Sequence, residues 1–427
     1  MRHRLLLALL VMFALTTASC GGGGDDADNS ADADADAGAD TDAAADDESD
    51  PSGDMADDAD AEPTTTTTAP LTPPTTRGPA PVLDVEPVTG VGAMVVISGE
   101  PAYTGLLGQL DPERNIAPAV ALPPADAAPG VAPLTGLPLT DPSIAERPAL
   151  IAKVDNTTKG RPQEALHQAD IVFVTEIEAG FTRLMVVYHS QTPDVIGPIR
   201  SGRTTDISVF RSFNDPIFAF SGANAVQFAV MRRYEMVNLS AGTRSEYFRS
   251  DERPGTYDLM TEPAVLYDIA AALDEGGSPP VHFEYRDATT ALPPTAVPAG
   301  DIRIDYRNAG VDYRWDADLE VWRRSQDGTP HVDAADMEVR PANVVIAEVS
   351  RLATGTRDGA GAAVNEQQFI GSGRGWVFTG GHAIEVTWTK PSLASVPTWT
   401  TADGVPVPLT PGQTWVELVP FDAVAFS

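Results

Sequence analysis

Cysteine is almost missing from this chain: Cys20 is the only one in 427 residues. A chain with one cysteine cannot close an internal disulfide, and zinc sites built on cysteine are excluded. Long apolar runs are lacking as well. The longest, Leu5–Leu15, falls short of the roughly 20 residues needed to cross a bilayer. Every later apolar stretch is broken by charge, Pro or Gly. Strong catalytic signatures are absent: there is no Gly-x-Ser-x-Gly elbow, no Walker loop and no His-Glu-x-x-His. Lys and Arg are missing from Gly21–Glu62, which holds 17 acidic residues. The fold must therefore stand on its own apolar core, and the chain is long enough to bury one.

The N-terminus has a basic start, the apolar run, and then Thr16-Thr17-Ala18-Ser19-Cys20. That pattern predicts a secretory signal. A cysteine directly after a small pair resembles a lipobox, so residues 1–20 are expected to be a lipoprotein signal with the lipid on Cys20. The alternative is a plain cleaved signal with an incidental cysteine. Lipidation would leave no thiol nucleophile. It would place the chain on the extracytoplasmic face of the cell membrane, with the bilayer as its first partner.

The Ala/Asp repeats after Cys20 repel themselves and bury nothing, and Pro63–Pro81 is rich in Thr and Pro. Residues 21–81 are accordingly predicted to be a disordered tether. Outside tail and signal, 44 acids still outnumber 26 bases, and the formal charge of the chain is -33. Nucleic acid is not expected as a partner.

Residues 82–132 read as a partly ordered lead-in, with Ala93–Ile97 as one strand. From 133 to 285 the pattern is α/β with a mixed sheet. Ala149–Val154, Ile171–Thr175, Thr182–Tyr188 and Ile217–Phe220 read as strands, the second and third forming a hairpin around Gly180. Pro162–Gln168, Thr204–Phe213, Ala225–Arg233 and Pro263–Leu273 read as helices. Val281–Tyr285 alternates like a strand. Residues 286–300, with Pro293, Pro294 and Pro298, form the expected interdomain linker. Residues 301–427 are expected to be a small all-β domain, since short alternating segments such as Asp301–Tyr306, Asn343–Val349 and Thr414–Val419 are separated by turns.

These residues carry a family resemblance. Pro133-Leu134-Thr135-Gly136-Leu137, Val154-Asp155-Asn156, Arg161-Pro162-Gln163, Ala169-Asp170-Ile171-Val172, Phe181-Thr182-Arg183 and Gly197–Arg203 follow in the order of the YerB-like bacterial lipoproteins. Asn343-Val344-Val345, Gly371-Ser372-Gly373, Thr387-Trp388 and Pro411–Trp415 fit the C-terminal part of the same family. The resemblance runs from about Pro133 to the end and implies a lipid-anchored, two-domain protein of unknown function. Tyr257 stands where that family usually has a histidine.

The candidate ligand-binding residues are Asp155, Asn156, Arg161, Asp170, Arg183, Arg200, Ser201 and Arg203. Polar groups at strand ends are where an α/β fold places a ligand, and the arginine fork suits phosphate or carboxylate. The expected role is binding an anionic envelope ligand, a cell-wall polymer, or an envelope protein. An alternative comes from a loose similarity to the LytR-CpsA-Psr glycopolymer transferases. There, Asp155 and Asp170 would hold Mg²⁺ while Arg183 and Arg200 clamp a pyrophosphate, although Ser201 stands where those enzymes have Asp. The bland reading makes Asp155 and Arg200 a structural pair that caps turns. His331 with Asp333 is either a metal pair or an exposed turn. Trp388, Trp399 and Trp415 are either a sugar- or peptide-binding face or core.

Overall fold

The computed structural model describes residues 128–427 apart from 242–244, 254, 288 and 359–360. The signal, Cys20, the tether, the Ala93–Ile97 strand and most of the lead-in lie outside the described residues.

Continuous apolar runs become strands buried on both faces. β1 (Leu150–Asp155), β2 (Ile171–Glu176) and β3 (Thr182–Tyr188) are buried at every position. β2 and β3 pair antiparallel from Ile171↔Val187 to Glu176↔Thr182, which is the expected hairpin. β1 pairs antiparallel with β3 and parallel with β4 (Ile217–Ala219), which is followed by β5 (Val237–Asn238). The sheet is therefore mixed. Two helices, α1 (Thr205–Phe210) and α2 (Ala225–Met231), come just before and after β4. The β6 (Tyr247–Arg249) and β7 (Leu259–Thr261) hairpin leads to α3 (Pro263–Leu273), which starts on a proline as the sequence predicts.

The rest of the chain is mostly strands: β8 (Val297–Pro298), β9 (Asp301–Tyr306), β10 (Ala309–Asp316), β11 (Val321–Gln326), β12 (Thr329–Pro330), β13 (Asn343–Glu348), β14 (Arg351–Arg357), β15 (Ala363–Gln367), β16 (Gly371–Thr379), β17 (His382–Lys390), β18 (Thr398–Thr400), β19 (Thr414–Val419) and β20 (Val424–Phe426). The sequence carries no sign of how these are shared out. The second half is not wholly a separate layer, because β19 pairs in parallel with β2 on one side and with β13 on the other. One sheet thus runs β18-β17-β16-β13-β19-β2-β3-β1-β4-β5, with β8 attached to β17. A second sheet, β12-β11-β10-β9-β20, has the exposed–buried alternation of a sheet wet on one face.

Strand alternation sorts the core into two layers. Leu150, Ala152, Val154 and Leu184 join Leu266 of α3 and Ile304, Tyr313 and Trp322 of the second sheet. Ile151, Phe173, Met185 and Phe218 face Phe210 and Phe213, with Met231 of α2 and, further along, Trp388 and Trp399. Trp388, Trp399 and Trp415 are therefore core residues, at most 4% exposed.

Two expected elements differ. Pro162–Gln168 is not a helix; only Leu166–Gln168 makes a 3-10 turn, because Ala165 is left-handed and Glu164 N–H bonds Gly197 O. Val281–Tyr285 is not a strand either. Its His282 and Phe283 are buried, with His282 stacked on Phe213 at 3.9 Å, and only Tyr285 bridges to Leu409. Among the described residues no helix is long and apolar enough to cross a membrane.

Candidate anion-binding site

The face of the sheet that meets α1 ends in charge instead of hydrocarbon. Ile151 and Met185 face the core, and two residues further along the same face come Lys153 and Arg183, joined by Thr175 from β2. Lys153 is fully buried, and its Nζ donates to Asp206 of α1 at 2.6 Å and to Thr175 at 2.8 Å. Burial lowers the Lys153 pKa, against the pull of Asp206. The second Asp206 oxygen accepts Arg203 N–H at 2.7 Å, so this pair also anchors the loop that brings in the other arginines.

That loop, Gly197–Arg203, delivers Arg200, Ser201 and Arg203. Arg200 N–H bonds Lys153 O, and its Nε lies 2.9 Å from Asp155 Oδ2. The approach is off the hydrogen-bond axis, so this is an ion pair without a linear bond. Arg200 also donates to Thr256 O at 2.9 Å and lies 5.2 Å from the ring centre of Tyr257. Tyr257 therefore covers an arginine of this cluster. Arg203 forms a fork with Glu178, at 2.6 and 2.8 Å. Burial would raise the Glu178 pKa, but the bonds and charge of Arg203 outweigh it and hold the carboxyl low.

Arg183 is the exception. It is 7% exposed, donates Nη1 to Ser201 O at 3.0 Å, and has no carboxylate partner among the described residues. Its Nε is buried with no acceptor. Burial, then the neighbouring Arg203 and Arg200, push its pKa down to about 9, so it remains a cation at neutral pH. One edge of the guanidinium is thus fixed by a carbonyl while the Nε–Nη2 edge, the geometry that grips an oxyanion, is left over.

The other expected residues separate. Asp155 takes Thr157 N–H at 2.7 Å and the Thr157 hydroxyl at 2.6 Å, the turn-capping role of the bland reading, alongside its pairing with Arg200. Asn156 faces the second sheet: it donates to Thr182 at 2.8 Å and Gln326 at 3.1 Å. Arg161 pairs with Asp327 at 2.7 Å. Both join the two sheets and do not enter the cluster. Asp170 is at the far end of β2, level with Tyr188, where its carboxylate takes the N–H groups of His189 at 2.5 Å and Ser190 at 2.9 Å. Five residues of strand, about 17 Å, separate that level from Asp155 and Arg183. Asp155 and Asp170 therefore do not form the Mg²⁺ pair of the transferase analogy. No group of three metal-ligating side chains occurs among the described residues.

His331 and Asp333 are not an exposed turn; both are buried. Arg324 donates to His331 Nδ1, and His331 Nε2 then donates to Gln163. Asp333 is bonded by His167. These contacts dock the second sheet onto the first. Sequence reasoning missed Lys153, Glu178 and Asp206, although a lysine inside the apolar run Ala149–Val154 was a signal in plain view.

Residues 134–276 match the model for "Protein of unknown function (DUF3048) N-terminal domain", and residues 301–416 match that for its C-terminal domain. The chain is 30% identical over 311 residues to a Bacillus subtilis (strain 168) protein named as a lipoprotein, YerB. The match covers 69% of this chain and 88% of that protein. The chain belongs to the YerB lipoprotein family. The crystal structure of YerB from Bacillus subtilis superposes with a TM-score of 0.60 at 27% identity, covering 70% of this chain and 99% of that one. The family's two-domain organisation therefore holds here, with a mixed sheet, little helix and a C-terminal part made mostly of strands. The family is one of unknown function, so membership adds no reaction.

Proposed function

We propose that this chain is an envelope lipoprotein, held on the extracytoplasmic face of the membrane by a lipid on Cys20, that binds an anionic envelope ligand at Arg183. The observation that carries the binding role is the unpaired edge of a nine-tenths buried guanidinium. A buried cation without a counter-ion costs several kcal/mol, and an anion that supplies the missing bonds recovers that cost. Arg200, Ser201 and Arg203 form the wall beside it, while Asp155 and Glu178 hold the two flanking arginines in place. Kinship with a protein named as a lipoprotein supports the anchor, and the acidic character of the chain supports a ligand other than nucleic acid.

The test is thermal unfolding of the full chain with inorganic phosphate at constant ionic strength, repeated on Arg183→Gln and Arg183→Lys. Phosphate should raise the midpoint in the wild type, less in Arg183→Lys and not in Arg183→Gln. An equal rise in all three would refer the effect to general salt and remove the site. Cys20→Ser should release the chain from the membrane fraction; retention there would sink the anchor.

A further inference from the structure

The ligand's charge can be read from the groups that surround it. We infer that the Arg183 site selects a singly charged oxyanion, a phosphodiester or a carboxylate, over a doubly charged one such as a phosphate monoester. This rests on the binding role proposed above.

Four cations converge at this end of the sheet: Lys153, Arg183, Arg200 and Arg203. Three carboxylates face them: Asp155, Glu178 and Asp206. Each carboxylate is already committed. Asp206 is 2.6 Å from Lys153, Asp155 is 2.9 Å from Arg200, and Glu178 forks onto Arg203. As a unit the Lys153–Asp206 pair is neutral. The ion pairs next outward, Arg249–Asp258 and Arg253–Glu164, are neutral too. Glu176 of β2 is paired with Arg351, and Glu366 of β15, which packs against the turn carrying Glu178, accepts a hydrogen bond from Gln368 at 2.9 Å. Among these four cations and three carboxylates one positive charge remains, on Arg183, where little solvent reaches. A monoanion on the Nε–Nη2 edge closes the balance. A dianion carries a second charge into the same low-dielectric surroundings with no cation left for it, unless Glu178 or Asp155 is displaced from its arginine. The selectivity therefore comes from the two flanking carboxylates, which act as resident anions on Arg203 and Arg200.

Methyl phosphate provides a matched probe, because its second proton leaves near pH 6 while dimethyl phosphate stays a monoanion. Titration calorimetry on the full chain at constant ionic strength would compare the two at pH 8 and pH 5, with acetate as the carboxylate arm. Arg183 stays charged across this range, since its pKa lies at about 9. At pH 8 dimethyl phosphate should bind at least about ten-fold more tightly than methyl phosphate, and the gap should close to within about three-fold at pH 5. Glu178→Gln, which adds one net positive charge, should reverse the preference at pH 8. If that variant does not fold, Asp155→Asn makes the same change at the other flank. A dianion bound as tightly as the diester at pH 8, or a gap unchanged at pH 5, would overturn the charge rule and leave the binding role standing. No Arg183-dependent heat from any probe would remove the binding role itself.

Discussion

Replacing Asp206 by Asn tests the foundation of the cluster, because it removes one charge while keeping the shape of the side chain. Lys153 and Asp206 are both fully buried and 2.6 Å apart, and among the described residues Thr175 supplies the only other bond to the lysine Nζ. Breaking a buried pair by removing one partner costs about 3–5 kcal/mol, mostly for the charge left behind. Asp206→Asn and Lys153→Met should each fall in that range. Lys153→Met/Asp206→Leu removes both charges, and apolar replacement of a buried pair is often close to neutral, so the double variant should lose no more than about 2 kcal/mol. With Asp206→Leu as the matching single, expected in the same range, the cycle gives a coupling of at least about 4 kcal/mol. The assay is equilibrium urea unfolding at pH 7, followed by both tryptophan fluorescence and circular dichroism so that coincidence of the two transitions can be checked. A double variant as unstable as the sum of the singles would refute the reasoning. So would an Asp206→Asn protein within about 1 kcal/mol of the wild type.

Three further outcomes follow from separate parts of the fold. Gly136 has φ +68°, and a Cβ there would stand 2.4 Å from the Tyr285 ring. Gly136→Ala should therefore cost roughly 2–5 kcal/mol from left-handed backbone plus overpacking, read as a lower urea midpoint. Burial lowers the pKa of His282 to about 3 and that of His189 to about 4, so both are buried neutral. The unfolded chain takes up their protons below about pH 6.5 while the folded chain does not. Their contribution is complete above that pH and is lost as pH falls towards 4, at about 1.4 kcal/mol per unit for each. His282→Phe keeps the stack on Phe213 and should flatten the fall in stability between pH 6.5 and 4 by about that slope; an unchanged slope would exclude His282 as a source. Arg324 and Glu417 are fully buried 3.8 Å apart between the two sheets. Burial raises the Glu417 pKa. Arg324→Met should cost about 3–5 kcal/mol at pH 8 and less at pH 5, where Glu417 can take a proton; a cost independent of pH would argue that the arginine acts through packing alone.

Local pattern alone determined a good part of this protein. The run Ala149–Val154 is a buried strand, Thr182–Tyr188 and Pro263–Leu273 have the bounds read from their residues, and Asp301–Tyr306 alternates as written. The grouping of Arg183, Arg200, Ser201 and Arg203 was also legible, because β-strand ends and the Gly-Pro turn mark where polar groups gather. Strand periodicity specifies which face a side chain takes, but not which strand lies beside it or in which direction that strand runs. Only the tertiary structure decided that β19 inserts next to β2 and makes one sheet of two sequence regions. Because β3 pairs antiparallel with both β1 and β2, those two strands run the same way, and Asp170 before β2 lies at the opposite end from Asp155 at the close of β1, a separation invisible in a list of strand-terminal carboxylates. The docking of the second sheet buried His331 and Asp333, and turned Asn156 and Arg161 from site candidates into the bonds that join the sheets. Pairings between residues some 170 positions apart, such as Asn156 with Gln326, depend on how the whole core closes, and no local window of sequence contains that information.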